Sequence, residues 1–267
     1  MINKFEKLFA VKKAIIGMIH VPALPGSPGG CDVTFNELLK FAISELEILE
    51  EGGVNGVIVE NFWDTPYFPN SVPQITVAVM AAVIGQIASH ASIPVGVNIL
   101  YNDYEAEIAI ARAVNASFIR AEVFVDPSLS ETGLILPSAA KLIRERERIH
   151  AEDVAIFADV QGKNTTPLWQ RSLSESAFDA EQRGHADAII ITGAGTGKPV
   201  STQDLHDLRE VISIPLLIGS GVTADTAVEL LKYCDGAIVG SFFKKDGKID
   251  QPTELNRVKL LMDVVKG

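Results

Sequence analysis

The sequence predicts a single (β/α)8 barrel, and three observations lead to that prediction. Short, near-continuous apolar runs alternate with helical patterns from one end of the 267-residue chain to the other. Apolar runs without polar alternation are typical of parallel strands that are buried on both faces. Eight such runs in this sequence, each followed by a helical pattern, match the repeat number of the barrel. An open doubly wound sheet is the alternative, but no Gly-x-Gly-x-x-Gly motif follows the first strand, which weakens its dinucleotide-binding form.

The predicted strands are the apolar runs themselves. They are Ala14–His20, Gly56–Asn61, Pro94–Leu100, Phe118–Phe124, Val154–Val160, Ala188–Gly193, Pro215–Gly221 and Gly236–Ser241. A short repeat supports this regular arrangement, since Ser-Ile-Pro begins at Ser92 and again at Ser213, just before the third and seventh strands. No linker, charge block or low-complexity segment divides the chain, so we expect residues 1–267 to form one barrel domain, with 1–13 as an N-terminal extension.

Helix signals lie between the strands. Thr34 and Glu37 form a capping box, and Gly52-Gly53 can end the helix that follows it. Further helix starts are expected at Asp103, Ser138, Ser172, Ser201, Thr223 and Glu254. The apolar stretch 77–87 is shorter than the ~20 residues that a membrane span requires, so it predicts a buried helix.

The amino-acid composition of the chain argues against some classes of protein function. The formal net charge of -11 argues against a nucleic-acid partner, because phosphate backbones select basic surfaces, although one local pocket could still bind a small phosphate. The N-terminus lacks the apolar core of a signal peptide, and the two cysteines share no motif. We therefore expect a cytoplasmic protein without membrane insertion. Self-association into a homo-oligomer is expected because many barrels associate in this way.

Polar residues recur where the predicted strands end. In a barrel these ends form one mouth, which is where the active sites of this fold lie. Burying so many polar groups costs free energy unless they pair or bind a ligand. The residues are His20, Glu60, Asn61, Asp64, Asn98, Asn102, Asp103, Arg120, Glu122, Asp159, Lys163 and Thr192.

Glycine-rich turns follow the last three strands. Glycine lets the backbone approach a ligand and present its N–H groups, and a helix that begins at Thr223 would add a favourable field for an anion. The ends of strands seven and eight are the usual phosphate site of this barrel. The alternative is that these glycines only allow tight turns. The predicted phosphate-binding residues are Thr192, Gly193, Gly195, Thr196, Gly197, Gly219, Ser220, Gly221, Gly240 and Ser241.

The ionisable residues suggest chemical roles. Glu60 and Asp159 each end an apolar strand, so burial could raise their pKa values into the range of a general acid or base. The alternative is a structural ion pair with Arg120 or Lys163. Lys163 could neutralise a phosphate or an enolate, or form a Schiff base if it is desolvated. The candidate catalytic residues are Glu60, Asp159, Lys163, Arg120, His20 and Asp103, and the candidate substrate-binding residues are Asn61, Asn98, Asn102 and Glu122.

Two further features have competing interpretations. Mg²⁺ or Mn²⁺ could bind among Glu60, Asp64, Asn102, Asp103 and Asp159, but no dense ligand motif assigns a metal site, and Asp103 is also a helix cap.

Four aromatic residues lie close together in the loop after the second strand. They could form an apolar wall over the mouth or pack on a neighbouring subunit. They are Phe62, Trp63, Tyr67 and Phe68.

Together these segments resemble the BtpA family, including its SgcQ-like branch. The matching residues include Ile16-Gly17-Met18-Ile19-His20, the run 52–61, Gly96-Val97-Asn98, Phe118-Ile119-Arg120, Ala158-Asp159, Gly219–Val222 and the run 235–241. The resemblance implies a (β/α)8 barrel. It implies little chemistry, because the family takes its name from a photosystem I assembly factor and its SgcQ-like members have a nucleosidase label without an established reaction. Separately, the ends of strands seven and eight look like those of phosphate-binding barrels such as the tryptophan synthase α subunit.

The chain departs from the BtpA pattern at the predicted mouth. Asn164 follows Lys163 where the family has histidine, and Glu122 stands where asparagine is common. These differences argue against a mechanism shared with the photosynthetic branch and predict a different substrate. We expect an enzyme that acts on a small phosphorylated sugar or (phospho)nucleoside, a nucleosidase-like hydrolase or a sugar-phosphate lyase or isomerase. The alternatives are a non-catalytic assembly factor on the same barrel and a ligand-binding sensor.

Overall fold

The computed structural model describes residues 3–193 and 200–267 and confirms the predicted barrel. Its strands are β1 (Ala14–His20), β2 (Gly56–Glu60), β3 (Val95–Asn98), β4 (Phe118–Ala121), β5 (Ser128–Ser130), β6 (Gly133–Ile135), β7 (Ala155–Val160), β8 (Thr166–Pro167), β9 (Ala188–Ile191), β10 (Leu216–Ile218) and β11 (Gly236–Val239). Eight parallel strands close in the order β1-β11-β10-β9-β7-β4-β3-β2. Successive barrel strands are neighbours, as right-handed βαβ units require.

The helices lie between the barrel strands. They are α1 (Lys4–Leu8), α2 (Phe35–Gly52), α3 (Gln74–His90), α4 (Tyr104–Val114), α5 (Ala139–Arg148), α6 (Leu173–Gln182), α7 (Thr202–Arg209), α8 (Ala224–Leu230) and α9 (Leu255–Lys266). The capping box of Thr34 and Glu37 opens α2, and Gly53 ends it with a left-handed φ of 86°. None of the helices in the described residues combines the length and hydropathy needed to cross a membrane.

Side chains of alternate strand residues fill the barrel. Ile16 and Met18 of β1 point inward, while Ile15 and Ile19 pack against the outer helices. This period of two continues around the sheet, because successive side chains of a strand face opposite sides. Short helix α1 supplies the base of the interior, where Phe5 lies 5.7 Å from Phe157 between ring centroids. The N-terminal segment therefore closes the barrel at the end opposite its mouth.

A small antiparallel sheet covers part of the mouth. It has the order β6-β5-β8, and its strands come from the loops that follow β4 and β7. The sequence pattern does not predict this sheet, because its strands are at most three residues long and β8 pairs with a segment far away in the chain. Several predicted barrel strands are also too long, since the predicted third and fourth strands include loop residues beyond Asn98 and Ala121.

Candidate active site

A cavity of about 660 Å³ opens at the carboxyl ends of the barrel strands. Five of the ionisable or polar residues singled out above line it together with both terminal glycine turns: His20, Glu60, Arg120, Glu122, Lys163, Gly219, Ser220, Gly240 and Ser241. We call this space the mouth cavity. The strands converge there because all eight run in the same direction.

Arg120 is the central cation of the mouth cavity. Its Nε donates to Asp159 Oδ2 at 2.7 Å and its Nη2 to Asp159 Oδ1 at 3.1 Å, which is a bidentate pair. Arg120 Nε also lies 3.6 Å from Glu122 Oε1, and Nη1 lies 4.0 Å from Glu60 Oε2. Burial opposes the charge of Arg120, but these carboxylates raise the pKa of its guanidinium well above its ordinary value. The guanidinium is therefore a fixed positive charge in the lining of the cavity.

Glu60 combines deep burial with a strong hydrogen bond. Asn98 Nδ2 donates to Glu60 Oε2 at 2.6 Å and to Glu122 Oε1 at 3.0 Å, so one amide bridges two carboxyl groups. Burial raises the pKa of Glu60 to about 7, although the charge of Arg120 acts in the opposite direction. A carboxyl group with this pKa is present in both protonation states at neutral pH, which suits a general acid or base.

Asp159 is a different kind of carboxyl group. Burial raises its pKa to about 6, and the charge and hydrogen bonds of Arg120 oppose that rise. Both of its oxygens accept hydrogen bonds from Arg120, so at neutral pH the ionised form has its partner in place. Asp159 itself does not line the mouth cavity. Asp159 is therefore paired with Arg120 outside the lining, while Glu60 lines the cavity.

His20 lies at the edge of the same group. Its Nε2 is 3.9 Å from Glu60 Oε1, and its ring centroid is 4.8 Å from that of Phe62. Burial and the nearby cations Lys244, Lys163 and Arg120 lower its pKa to about 3, so the imidazole is neutral at physiological pH. Nδ1 of His20 has no hydrogen-bond partner within residues 3–193 and 200–267. Since no such contact fixes the tautomer, Nε2 can either donate or accept a hydrogen bond.

The turn after β10 presents backbone donors. The N–H groups of Ser220, Gly221 and Val222 donate no hydrogen bond to other described residues. Gly221 has a φ of 82°, a left-handed conformation that favours glycine. Gly219 has a packing role, because a Cβ there would lie 2.6 Å from Thr192 Cγ2. Helix α8 begins next but has only seven residues, so its N-terminus contributes little to the field for an anion that the sequence predicted.

The turn after β9 is described only in part. Thr192 is buried, and its Oγ1 accepts a hydrogen bond of 3.0 Å from the backbone N–H of Lys163. This contact ties the turn after β7 to the turn after β9. Gly193 follows as a buried residue. The predicted phosphate-binding residues Gly195, Thr196 and Gly197 lie outside the described residues.

The predicted site residues Asn61, Asn102 and Asp103 lie outside the cavity lining and hydrogen-bond to the backbone. Asn61 accepts from the N–H of Leu100 at 2.8 Å, and Asn102 donates to the carbonyl of Val123 at 3.0 Å. Asp103 caps α4 by accepting from the N–H of Ala106 at 3.0 Å. These groups hold the loops around the mouth. Their roles in substrate binding and catalysis stay predictions.

Strand periodicity explains which residues reach the mouth cavity. Met18 faces the barrel interior, so His20, two residues later, faces the mouth, and the same relation joins Ile58 to Glu60. Asn61, one residue beyond Glu60, points the other way. This parity is visible in the sequence once the strands are placed, and it could have separated Glu60 from Asn61.

The structure adds residues to the site that sequence analysis did not assign to it. These additional lining residues of the mouth cavity are Tyr101, Glu131 and Ile249. The aromatic residues Phe62 and Tyr67 also line the cavity, as expected for an apolar wall. Glu131 comes from the small antiparallel sheet and Ile249 from the segment after β11, neither of which carries a sequence signal.

The possible Mg²⁺ or Mn²⁺ site can be compared with the positions of its candidate ligands. The described residues contain no group of three or more His, Cys, Asp or Glu arranged to hold a metal ion. Asp64 instead accepts a hydrogen bond from Thr76 at 3.1 Å.

The fold and the position of the cavity place this protein among the (β/α)8 barrels with a polar mouth. Comparison with solved structures agrees: tryptophan synthase from Mycobacterium tuberculosis has a TM-score of 0.62 at 16% identity, over 96% of this chain and 93% of that chain. Thiamine phosphate pyrophosphorylase from Pyrococcus furiosus has a TM-score of 0.59 at 15% identity, over 96% of both chains. N-(5′-phosphoribosyl)anthranilate isomerase from the same organism has a TM-score of 0.57 at 13% identity, over 95% of this chain and 98% of that chain.

The chain belongs to the BtpA family, which it matches over residues 11–267. An uncharacterised protein of Thermococcus kodakarensis is 37% identical over 96% of both chains. The photosystem I biogenesis protein BtpA of Synechocystis is 34% identical over 96% of this chain and 89% of that protein. The predicted family resemblance is therefore confirmed across nearly the whole chain.

Proposed function

We propose that this protein is an enzyme that binds a small phosphorylated sugar or nucleotide in the mouth cavity and transfers a proton through Glu60. One observation carries the proposal. The cavity brings Ser220 and Ser241, at the ends of two neighbouring strands, together with a fixed cation, Arg120, and a carboxyl group that titrates near neutral pH.

The phosphate would lie against the turns after β10 and β11. Backbone N–H groups that lack other partners are strong donors to an anion, and the glycines allow close approach. Lys163 lines the same cavity and would supply a positive charge to balance the phosphate. Two structurally similar barrels have names that mention a phosphorylated compound. They are thiamine phosphate pyrophosphorylase and N-(5′-phosphoribosyl)anthranilate isomerase, although their similarity to this chain shows the fold alone.

The carboxyl groups would act on the other end of the ligand. Glu60 and Glu122 share the amide of Asn98, so a proton gained or lost by Glu60 changes the charge beside the sugar. This arrangement fits acid–base chemistry at a sugar carbon, such as cleavage of an N-glycosidic bond, aldol cleavage or isomerisation. Arg120 would stabilise negative charge that develops in the transition state.

A thermal-shift screen tests this proposal. The purified protein is heated with ribose 5-phosphate, nucleoside monophosphates and their unphosphorylated counterparts, each with and without Mg²⁺ or Mn²⁺. A ligand that binds only the folded state raises the melting temperature. We expect phosphorylated compounds to raise it, and Ser220→Asp to abolish the rise through charge repulsion. Ser71→Asp is the matched control, because it adds the same charge at an exposed position outside the cavity lining.

One observation favours a second candidate function, that of an assembly factor. Exposed apolar side chains surround the small antiparallel sheet: Leu129, Leu134, Leu136, Leu168 and Trp169. Contiguous exposed apolar surface marks interaction sites. The same screen separates the two functions. If no compound shifts the melting temperature at millimolar concentration while the protein is folded, the enzyme proposal fails and a protein partner becomes the better explanation.

A further inference from the structure

A second cavity of about 490 Å³ adjoins the mouth cavity. The two cavities share the lining residues His20 and Ile249, so they meet at that point. We call the second space the side cavity and define it by Pro22, Phe41, Trp63, Thr65, Gln251 and Pro252. It lies beyond the ends of β1 and β2, whereas the proposed phosphate position lies at β10 and β11.

The lining of the side cavity is mostly apolar and includes the exposed carboxylate of Asp250, so it suits a flat ring and disfavours an anion. Trp63, Phe41 and the two prolines offer apolar surfaces, and Thr65 and Gln251 offer hydrogen-bonding groups at the edge. Lys244 is the cation in its described lining, but its Nζ donates to Glu45 and, at 3.0 Å, to Thr253 Oγ1. Because that charge is already paired, the cavity does not favour a second phosphate.

Buried contacts hold the walls of the side cavity in place. Glu45 accepts from the backbone N–H of Thr253 at 2.8 Å and from its hydroxyl at 2.6 Å, which fixes the segment 249–252 against α2. On the other side, the ring of Trp63 stands edge-on to that of Phe62, with centroids 5.0 Å apart. The cavity is therefore formed before a ligand binds, which lowers the entropic cost of binding.

We propose that the side cavity binds a nitrogen heteroaromatic ring, such as a nucleobase, that is attached to the phosphorylated sugar. This inference rests on the proposed function, because the sugar phosphate occupies the mouth cavity. The ring stacks on Trp63, and Thr65 and Gln251 contact its polar edge. The bond between the ring and the sugar then lies beside His20 and Glu60, whose Nε2 and Oε1 are 3.9 Å apart.

Tryptophan fluorescence tests the ring site directly. The chain has two tryptophans, and Trp169 is exposed beside Arg171 and lines neither cavity. Trp169→Phe therefore leaves Trp63 as the single reporter. With excitation at 295 nm, we expect adenosine 5′-monophosphate or uridine 5′-monophosphate to quench the emission, and ribose 5-phosphate to leave it nearly unchanged while still raising the melting temperature.

Affinity measurements on the protein with native Trp169 provide the second readout. Stacking of a base on an aromatic side chain is worth roughly a 5- to 150-fold change in Kd. We expect Trp63→Leu to weaken nucleotide binding by a factor in that range and to leave the Kd of ribose 5-phosphate within about twofold. Trp63→Phe keeps an aromatic face and is the matched control. If Trp63→Leu does not fold, Phe41→Leu tests the neighbouring wall in the same way.

The outcomes separate the two proposals. If ribose 5-phosphate binds but both nucleotides bind no more tightly and do not quench Trp63, the ring site is refuted and the proposed function stands. Equal weakening of ribose 5-phosphate and nucleotides by Trp63→Leu also refutes the ring site. If neither the sugar phosphate nor the nucleotides bind the folded protein, both proposals fail.

Discussion

The raised pKa of Glu60 makes the stability of the protein depend on pH in a defined direction. In the folded state burial raises this pKa from 4.5 to about 7. The folded protein therefore keeps a proton that the unfolded chain releases between these values. The resulting stabilisation is complete below pH 4.5 and is lost as the pH rises through about 7. Glu60→Gln removes this dependence, because glutamine does not titrate.

The size of the effect follows from the shift. A difference of about 2.5 pKa units, from 4.5 to about 7, corresponds to about 3 kcal/mol in total, and about 2.5 kcal/mol of this falls between pH 5 and pH 8. We expect the free energy of unfolding of Glu60→Gln, relative to the wild type, to rise by that amount between pH 5 and pH 8. Urea denaturation of both proteins at each pH measures it. Glutamine retains an oxygen that can accept from Asn98.

Glu131→Gln is the control for this prediction. Glu131 lines the same cavity but is exposed, so its variant measures what a change from carboxyl to amide does there without the loss of a buried group. The reasoning is refuted if the difference between Glu60→Gln and the wild type does not change between pH 5 and pH 8, because Glu60 would then titrate alike in both states.

Three further predictions concern buried contacts. Asp159→Ala leaves a buried guanidinium without its bidentate partner and should lower the free energy of unfolding by about 3–5 kcal/mol. Glu45→Ala should cost a similar ~3–5 kcal/mol, and the double variant Glu45→Leu/Lys244→Met should recover most of it, because no buried charge then remains. Gly52→Ala should cost about 1–3 kcal/mol, since the added Cβ would lie 2.2 Å from Val258 Cγ1 between α2 and α9. Urea denaturation at pH 7 measures all three.

Each of these predictions has an outcome that contradicts it. A loss below 1 kcal/mol in Asp159→Ala would mean that water or another carboxylate replaces the partner of the guanidinium. If Glu45→Leu/Lys244→Met is as unstable as Glu45→Ala, then altered packing, and not an unpaired charge, causes the loss in the free energy of unfolding. Gly85→Ala is the control for the third, because its Cβ would lie 3.4 Å from Val114 Cγ1 in another helix. Destabilisation of both glycine variants by the same amount would contradict the steric argument.

The positions of several mouth residues could be predicted from sequence because the barrel forces its strand ends together. His20, Glu60 and Arg120 each follow an inward-facing apolar residue by two positions, so parallel strands deliver all three to one cavity. The same rule breaks down once a strand ends. Asn102 and Asp103 follow a loop, whose path no periodic pattern specifies, and their side chains bond to the protein backbone.

The sequence by itself determined the number, type and order of the barrel elements, because apolar runs, helix caps and turn residues are local signals. It also determined that the strand ends would be polar. Only the tertiary structure decided which polar groups pair. Glu45 and Lys244, which are 199 residues apart, meet in the core, and the Arg120–Asp159 pair separates the role of Asp159 from that of Glu60. The side cavity and the pKa of Glu60 also depend on the folded chain, because burial and side-chain contacts between distant segments exist only after folding.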